Sequence, residues 1–222
     1  MIRIKELTKV YSPSAGQEVR ALDGVSLNVE RGEFVAVIGA SGSGKTTLMN
    51  IMGCLDTPTD GEYLLDGRSV SALSAAELSR VRSEKISFVF QGFNLIPTLT
   101  AMENVELPLI YRGIEAATRR RLSEQALKSV GLETRADHLP AELSGGQQQR
   151  VAIARALAAD APVILADEPC GNLDSKAGAA VMDMLHRLHR AGKTVVLITH
   201  DDNAAMTADR RIRISDGKIV KA

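Results

Sequence analysis

One stretch near the start constrains this chain more than any other. The apolar run Phe34-Val-Ala-Val-Ile38 passes directly into Gly39-Ala-Ser-Gly-Ser-Gly44-Lys45-Thr46, and Lys45–Gly53 has helical character. A continuous apolar run of this length fits a strand buried on both faces, the kind found in parallel sheets. Glycines at 39, 42 and 44 let backbone N–H groups turn inward as a concave nest. The following helix adds the positive end of its dipole. Strand, nest and helix in that order form a phosphate site, with Lys45 as a point charge toward the β- and γ-phosphates and the Thr46 hydroxyl as a Mg²⁺ ligand. A glycine turn with an incidental Lys-Thr is the bland reading, and the flanking elements weigh against it.

The rest of the chain is consistent with a parallel sheet. Ile86–Phe90, Val163–Ala166 and Val195–Thr199 are three more short apolar runs. Ile2–Leu7 and Val25–Val29 alternate apolar with polar residues, as half-exposed strands do. Ser12–Gln17, rich in Ser, Pro and Gly, reads as a loop between them. Ile212–Val220 carries Asp216-Gly217 at its middle and reads as a terminal hairpin. From Gly92 to Ala159 the character becomes helical. Leu122, Ala126, Leu127 and Val130 recur at helical spacing before a capping Gly131, and Gln147–Ala159 is an Ala-rich helix stopped by Asp160-Ala161-Pro162.

Composition removes some function classes. Lys+Arg and Asp+Glu balance at 27 each among 222 residues, so no net field favours nucleic acid or anionic lipid. The two cysteines, Cys54 and Cys170, have neither metal-ligand spacing nor the density of a disulfide scaffold, and both read as reduced packing residues. No apolar run approaches the roughly 20 residues that cross a bilayer, and Met1-Ile-Arg-Ile-Lys-Glu6 lacks a signal-peptide core. Service to a membrane is therefore expected to run through another chain.

Two further motifs flank one another in sequence. Val163-Ile-Leu-Ala-Asp167-Glu168 ends a buried strand in two carboxylates, which are costly to bury unless they meet a cation or donors. Asp167 suits an outer contact to Mg²⁺, and Glu168 is placed to polarise an attacking water as general base. Taken alone, such a run is often only a strand end with an acidic turn. Leu143-Ser-Gly-Gly-Gln147 opens the Ala-rich helix, so Ser144, its bare amides and the dipole make a second anion site. Ser is also a good N-cap, but capping alone leaves the paired glycines unexplained.

With phosphate loop, pentapeptide and acidic strand end in this order, the chain resembles the nucleotide-binding subunit of an ABC (ATP-binding cassette) transporter from about Arg3 to its C-terminus. The resemblance implies an α/β fold: a RecA-like P-loop NTPase core with an antiparallel β subdomain and an inserted α-helical subdomain. It implies one ABC ATPase domain over residues 1–222, with the core in about 1–91 and 160–222 and the helical part in about 92–159. ATP would lie on Tyr11, Gly39, Ala40, Ser41, Gly42, Ser43, Gly44, Lys45, Thr46 and Thr47, with Mg²⁺ on Thr46, Gln91 and Asp167. Glu168, His200 and Gln91 would be catalytic, resembling the family's base, switch histidine and Q-loop glutamine. Ser144, Gly145, Gly146 and Gln147 would face ATP held by a second copy, in a homodimer closed around two ATP, and Asp174 resembles the D-loop aspartate at that interface. Tyr11 stands where the family stacks an aromatic on adenine, though a tyrosine beside a loop is the other reading.

Finer features, Ile51–Asp56, Gln91–Pro97, Glu103–Pro108 and Leu143–Arg150, look like the lipoprotein-release and macrolide-export branch. That branch implies an integral membrane permease partner, a cytoplasmic cassette peripheral on the inner face of the cell membrane, and ATP hydrolysis driving export, release or mechanotransmission. A regulatory cassette signalling to a cell-division or wall-remodelling complex is the alternative. Gly92, where close relatives often carry Gln, departs from the branch pattern. Phe93, Leu95, Ile96 and Pro97 either dock a partner's short helix or pack under the helical part. His186 and His189, and the run Arg119-Arg120-Arg121, read as solvated helix faces. Cys170 reads as packing, with alkylation near the nucleotide as the alternative.

Overall fold

The structure is a computed structural model that describes residues 1–14 and 17–220. Strands β1 (Ile2–Ser14) and β2 (Gln17–Val29) form a long antiparallel hairpin, extended on its other edge by β4 (Asp60–Leu65) and β5 (Arg68–Ser69). The second sheet has the order β10-β9-β3-β8-β7-β6. Its members are β3 (Phe34–Ile38), β6 (Ile86–Phe90), β7 (Val163–Asp167), β8 (Thr194–Thr199), β9 (Arg210–Ser215) and β10 (Lys218–Val220). From β9 to β6 every pairing is parallel, and only β10 returns antiparallel, as the Asp216-Gly217 turn demands.

The expected loop at Ser12–Gln17 is shorter than its composition suggests. Ser12 to Ser14 and Gln17 belong to the paired strands, with Ser14 opposite Gln17, while Ala15 and Gly16 lie outside the described residues. Backbone pairing carries the hairpin outward past the point where its side chains stop alternating. Register shifts at Ile4/Leu7, Leu7/Lys9, Lys9/Val10 and Tyr11/Ser14 show why period-2 reasoning lost it.

The helices are α1 (Lys45–Met52), α2 (Ala75–Lys85), α3 (Ala101–Tyr111), α4 (Ala116–Ser129), α5 (Gly145–Ala159), α6 (Ser175–Arg190) and α7 (Asp202–Met206). Alternate residues of the parallel strands feed two cores. Val35, Val37, Leu165, Val196 and Ile198 point toward α1 and the antiparallel sheet. Phe34, Ile164, Ala166, Val195 and Leu197 point the other way, into α3, α4, α5 and α6. Each fully buried Leu or Ile here contributes about 1.5–3 kcal/mol. A sheet covered on both faces leaves only strand ends free for chemistry.

Three surface readings change. His186 and His189 are half-buried on α6, their rings 5.1 and 5.6 Å from that of Phe34. His189 Nε2 also lies 2.9 Å from the Gly32 carbonyl and 3.2 Å from Asp209. Aromatic packing and these polar partners take the pair off the solvated face, and burial lowers the His186 pKa. Arg119 likewise folds in, donating to Glu106 at 3.1 Å and to the Ile114 carbonyl at 3.1 Å, while Arg120 stays at the surface paired with Glu124.

Candidate active site

The carboxyl ends of β3, β6, β7 and β8 open into one cleft of about 850 Å³. Its lining includes Ser41, Gly42, Gly44, Lys45, Thr46, Thr47, Gln91, Asp167, Glu168 and His200. The nest is forced by its surroundings. A Cβ at Gly39 would lie 2.2 Å from the Ile214 carbonyl and 2.7 Å from Ser43 Oγ, and Gly44 adopts φ 104 as the cap of α1. Gly42, at φ 77, takes the left-handed conformation that glycine tolerates. Lys45, 8% exposed as a residue, folds its ammonium back to donate 2.8 Å bonds to the carbonyls of Gly39 and Ala40. The lysine thus closes the loop on itself and holds its charge at the nest.

The acid pair is asymmetric. Burial, and then the neighbouring Glu168 charge, push the Asp167 carboxyl above its ordinary pKa, with Lys45 pulling the other way. Glu168 sits at φ 45 directly before Pro169, a left-handed conformation that costs of order 1–3 kcal/mol for a residue with a Cβ. That turn brings its Oε1 to 2.7 Å from His200 Nδ1 and lets Oε2 accept from Thr199 Oγ1 at 3.3 Å. Strain stored beside a carboxylate–imidazole pair is what a site for proton transfer looks like.

Gln91 ends β6 at the cleft wall and is tied sideways. Its Nε2 donates to Asn172 Oδ1 at 3.3 Å, and Asn172 Nδ2 donates back to the Gln91 carbonyl at 3.1 Å. Thr46, Gln91 and Asp167 offer oxygen ligands on one cleft, the donor set a hard cation such as Mg²⁺ takes. Among the described residues no group of three or more His, Cys, Asp or Glu could hold a metal alone.

Other expected site residues stand outside this cleft. Ser144 caps α5: its hydroxyl accepts from Gln147 N at 3.3 Å, and Gln147 Oε1 accepts from Ser144 N at 2.9 Å. Gly145 lies against Phe93, and Gly146 against Ala177. Asp174 caps α6, its carboxyl accepting from Ala177 N at 2.8 Å. Tyr11 is on β1, opposite the cleft-lining Val19, with its hydroxyl donating to Asp56 Oδ2 at 2.8 Å and the Lys9 ammonium 4.9 Å from its ring. The Tyr11 hydroxyl is held above its usual pKa by burial and Asp56.

In the Gln91–Pro97 loop, Leu95 joins the lobe core and Phe93 packs toward Gly145, whereas Ile96 is 40% exposed and Pro97 is exposed. Cys170 is half-buried with its thiol 3.5 Å from the Gly178 carbonyl, and burial pushes its pKa up to about 11. Few thiolates exist at neutral pH, so packing is the better reading. Val19, Arg20, Ala21, Asp216 and Gly217 also line the cleft without having been singled out. The Asp216-Gly217 turn was legible as a turn, but its tertiary contact with Ala21 was not. A larger groove of about 1150 Å³ between α2, β6 and the helical lobe presents Arg80, Arg82, Lys85, Arg112 and Arg155 against Glu84. Its lining residues include neither a glycine nest nor a carboxylate–imidazole pair, which the smaller cleft has.

Comparison with known proteins agrees with this geometry. A family model described as ABC transporter matches residues 22–171. The macrolide export ATP-binding/permease protein MacB of Brucella melitensis is 53% identical over 220 residues, which is 99% of this chain and 34% of that protein. The chain thus spans about a third of the length of such relatives. An uncharacterized ABC transporter ATP-binding protein of Methanocaldococcus jannaschii, MJ0796, is 53% identical over 225 residues, or 99% of this chain and 95% of that one. The solved dimeric structure of the MJ0796 cassette superposes with a TM-score of 0.92 at 50% identity, covering 100% of this chain and 97% of that one. A dimeric post-hydrolysis state of MJ0796 bound to ADP and Pi gives a TM-score of 0.93 at 50% identity and the same coverage. A fold shared end to end, half the residues identical, and a family match running from before the glycine nest to just past Glu168 leave one conclusion: the chain belongs to the ABC transporter family.

Proposed function

We propose that the chain is the ATP-hydrolysing cassette of a membrane transporter, with two copies closing around two ATP to drive a permease. The observation that carries this reading is the Glu168–His200 pair, 2.7 Å apart in the same cleft as the glycine nest. The nest from Gly39 to Thr47 cradles the phosphates, Lys45 neutralises the β- and γ-oxygens, and Tyr11 stacks on adenine. Thr46, Gln91 and Asp167 would hold Mg²⁺, which would supply charge stabilisation on the transferring phosphoryl group. Glu168 orients the attacking water and takes its proton as the water oxygen bonds to the γ-phosphorus and the bond to the β-phosphate oxygen breaks. His200 steadies Glu168 and the γ-phosphate, giving ADP and inorganic phosphate.

Ser144, Gly145, Gly146 and Gln147 lie away from this chain's own cleft, which suits a second anion site completed by a two-fold partner. Asp174 then crosses the same interface. The core in about residues 1–91 and 160–222 binds nucleotide, and the helical part in about 92–159 turns against it. No helix among the described residues is long and apolar enough to cross a membrane, so the permease lies in another segment or chain. The names of the MacB relatives join ATP-binding and permease, which supports that partner, and the proposal places the cassette on the inner face of the membrane. With Phe93 and Leu95 drawn inward, contact with the permease falls to exposed Ile96 and Pro97.

Replacing Glu168 by Gln keeps shape and removes the base. Turnover should fall on the order of 10²–10⁴-fold while ATP still binds. Turnover at the unmodified rate would refute the assignment.

A further inference from the structure

Three consecutive glutamines open α5, and each does something different. Gln147 closes the capping box with Ser144. Gln148 Nε2 reaches back to the Leu143 carbonyl at 3.1 Å. Gln149 turns inward, 0% exposed, and its Nε2 donates to the Pro169 carbonyl at 2.6 Å. Its Oε1 is buried with no partner among the described residues. Burying an amide with half its capacity unmet is unfavourable, and packing alone would be better served by Leu or Met. The donor is therefore what this position requires.

What it holds is the turn after Glu168. Proline disfavours compact conformations for the residue before it, yet Glu168 takes φ 45 there. The turn closes by the Gly171 N–H donating to the Glu168 carbonyl at 3.0 Å, and the Glu168 N–H donates to the Ile198 carbonyl at 2.9 Å. Gln149 is the one side chain on the Pro169 carbonyl among the described residues. We propose that Gln149 is a positioning residue: its buried amide fixes the Pro169 peptide, which keeps Glu168 in the left-handed conformation that aims its carboxylate into the cleft. Because Gln149 sits on the helix that Ser144 begins, it ties the signature segment of α5 to the base of this chain's own cleft.

This rests on Glu168 being the base, so the test separates the two. Steady-state ATPase would be measured for Gln149→Met, which keeps length and removes the donor, beside Glu168→Gln. Nucleotide binding would be followed with a fluorescent ATP analogue in the Glu168→Gln background, with and without Gln149→Met. The expected result is a kcat lower by on the order of tenfold to a hundredfold with KM changed less than about threefold, the size of effect a small misplacement of a catalytic group has. Binding in the double variant should match Glu168→Gln alone. In Gln149→Glu, burial keeps the carboxyl protonated to unusually high pH, and its O–H can donate to Pro169. That variant should therefore regain activity toward acid pH relative to Gln149→Met. If Gln149→Met turns over at the unmodified rate while Glu168→Gln does not, the positioning inference fails and the base stands. Equal losses of binding and kcat in Gln149→Met would also overturn it, by making the residue a general support of the fold. Unmodified turnover in Glu168→Gln would remove the base itself.

Discussion

Asp167 and Glu168 are adjacent carboxylates in different surroundings. The folded chain keeps Asp167 protonated to a higher pH than the unfolded chain does, mainly through burial and then through Glu168. A raised carboxyl pKa favours folding at acid pH, and that contribution is lost as pH rises through the native value. At neutral pH the ionised Asp167 is thus a burden that a bound cation relieves. Asp167→Asn should raise the Tm of the nucleotide-free chain at pH 7 and leave it nearly unchanged at about pH 3, where both forms are neutral. The same variant should need more Mg²⁺ for half-maximal turnover. Thermal melts at the two pH values check the first claim, and a Mg²⁺ titration of ATPase checks the second. Cys170 offers a separate check: with its pKa pushed up to about 11, iodoacetamide at pH 7 should label it slowly unless the chain is unfolded. Rapid labelling of the native chain would contradict the packing reading.

At the scale of elements, the loop between β3 and α1 tolerates little. Gly39→Ala would drive its Cβ to 2.2 Å from the Ile214 carbonyl, so the nest must shift and ATP affinity should fall by at least on the order of tenfold in a binding titration. Ser144→Ala removes the cap of α5 and should cost about 1 kcal/mol in urea unfolding. The elements that sequence made legible were those with one dominant force. β3, β6, β7 and β8 are buried on both faces, so their apolar runs are nearly continuous. α2 has no fully buried residue and only Leu78 and Val81 as an apolar edge, so its clearest signal was the capping box of Ser74 and Glu77. α3 carried a like signal in Thr100 and Glu103, obscured by Pro108 within the helix. The outer half of the β1–β2 hairpin was hidden by register shifts around half-buried Lys9 and among exposed Tyr11, Glu18 and Arg20. In the site, the nest, Asp167 and Glu168 were readable because each ends or follows a buried strand, whereas Gln91 and His200 were readable only through the family resemblance. Thr199, Asn172 and Gln149 were not, because a single polar residue gives no sign of which distant carbonyl or carboxylate it meets.

Across the whole molecule, the two faces of one sheet serve two cores. One binds the sheet to α1 and the antiparallel layer, the other to the helical lobe. The cleft collects the nest, Gln91, Asp167, Glu168 and His200, while Ser144–Gln147 and Asp174 stand outside it. On the proposed reading, with the phosphate nest in one place and the start of α5 elsewhere, two copies would each complete the other's site. Ile96→Asp places a charge on the exposed loop without touching the cleft. It should leave the cassette's own ATPase within about twofold and weaken co-purification with the proposed permease at least on the order of tenfold, as an unpaired buried charge at an interface does. The central claim is tested most directly by light scattering on the Glu168→Gln chain with and without Mg-ATP. The account predicts a monomer without nucleotide and, with Mg-ATP, a dimer retaining two unhydrolysed ATP. A chain that binds ATP yet remains monomeric at saturating nucleotide would contradict it.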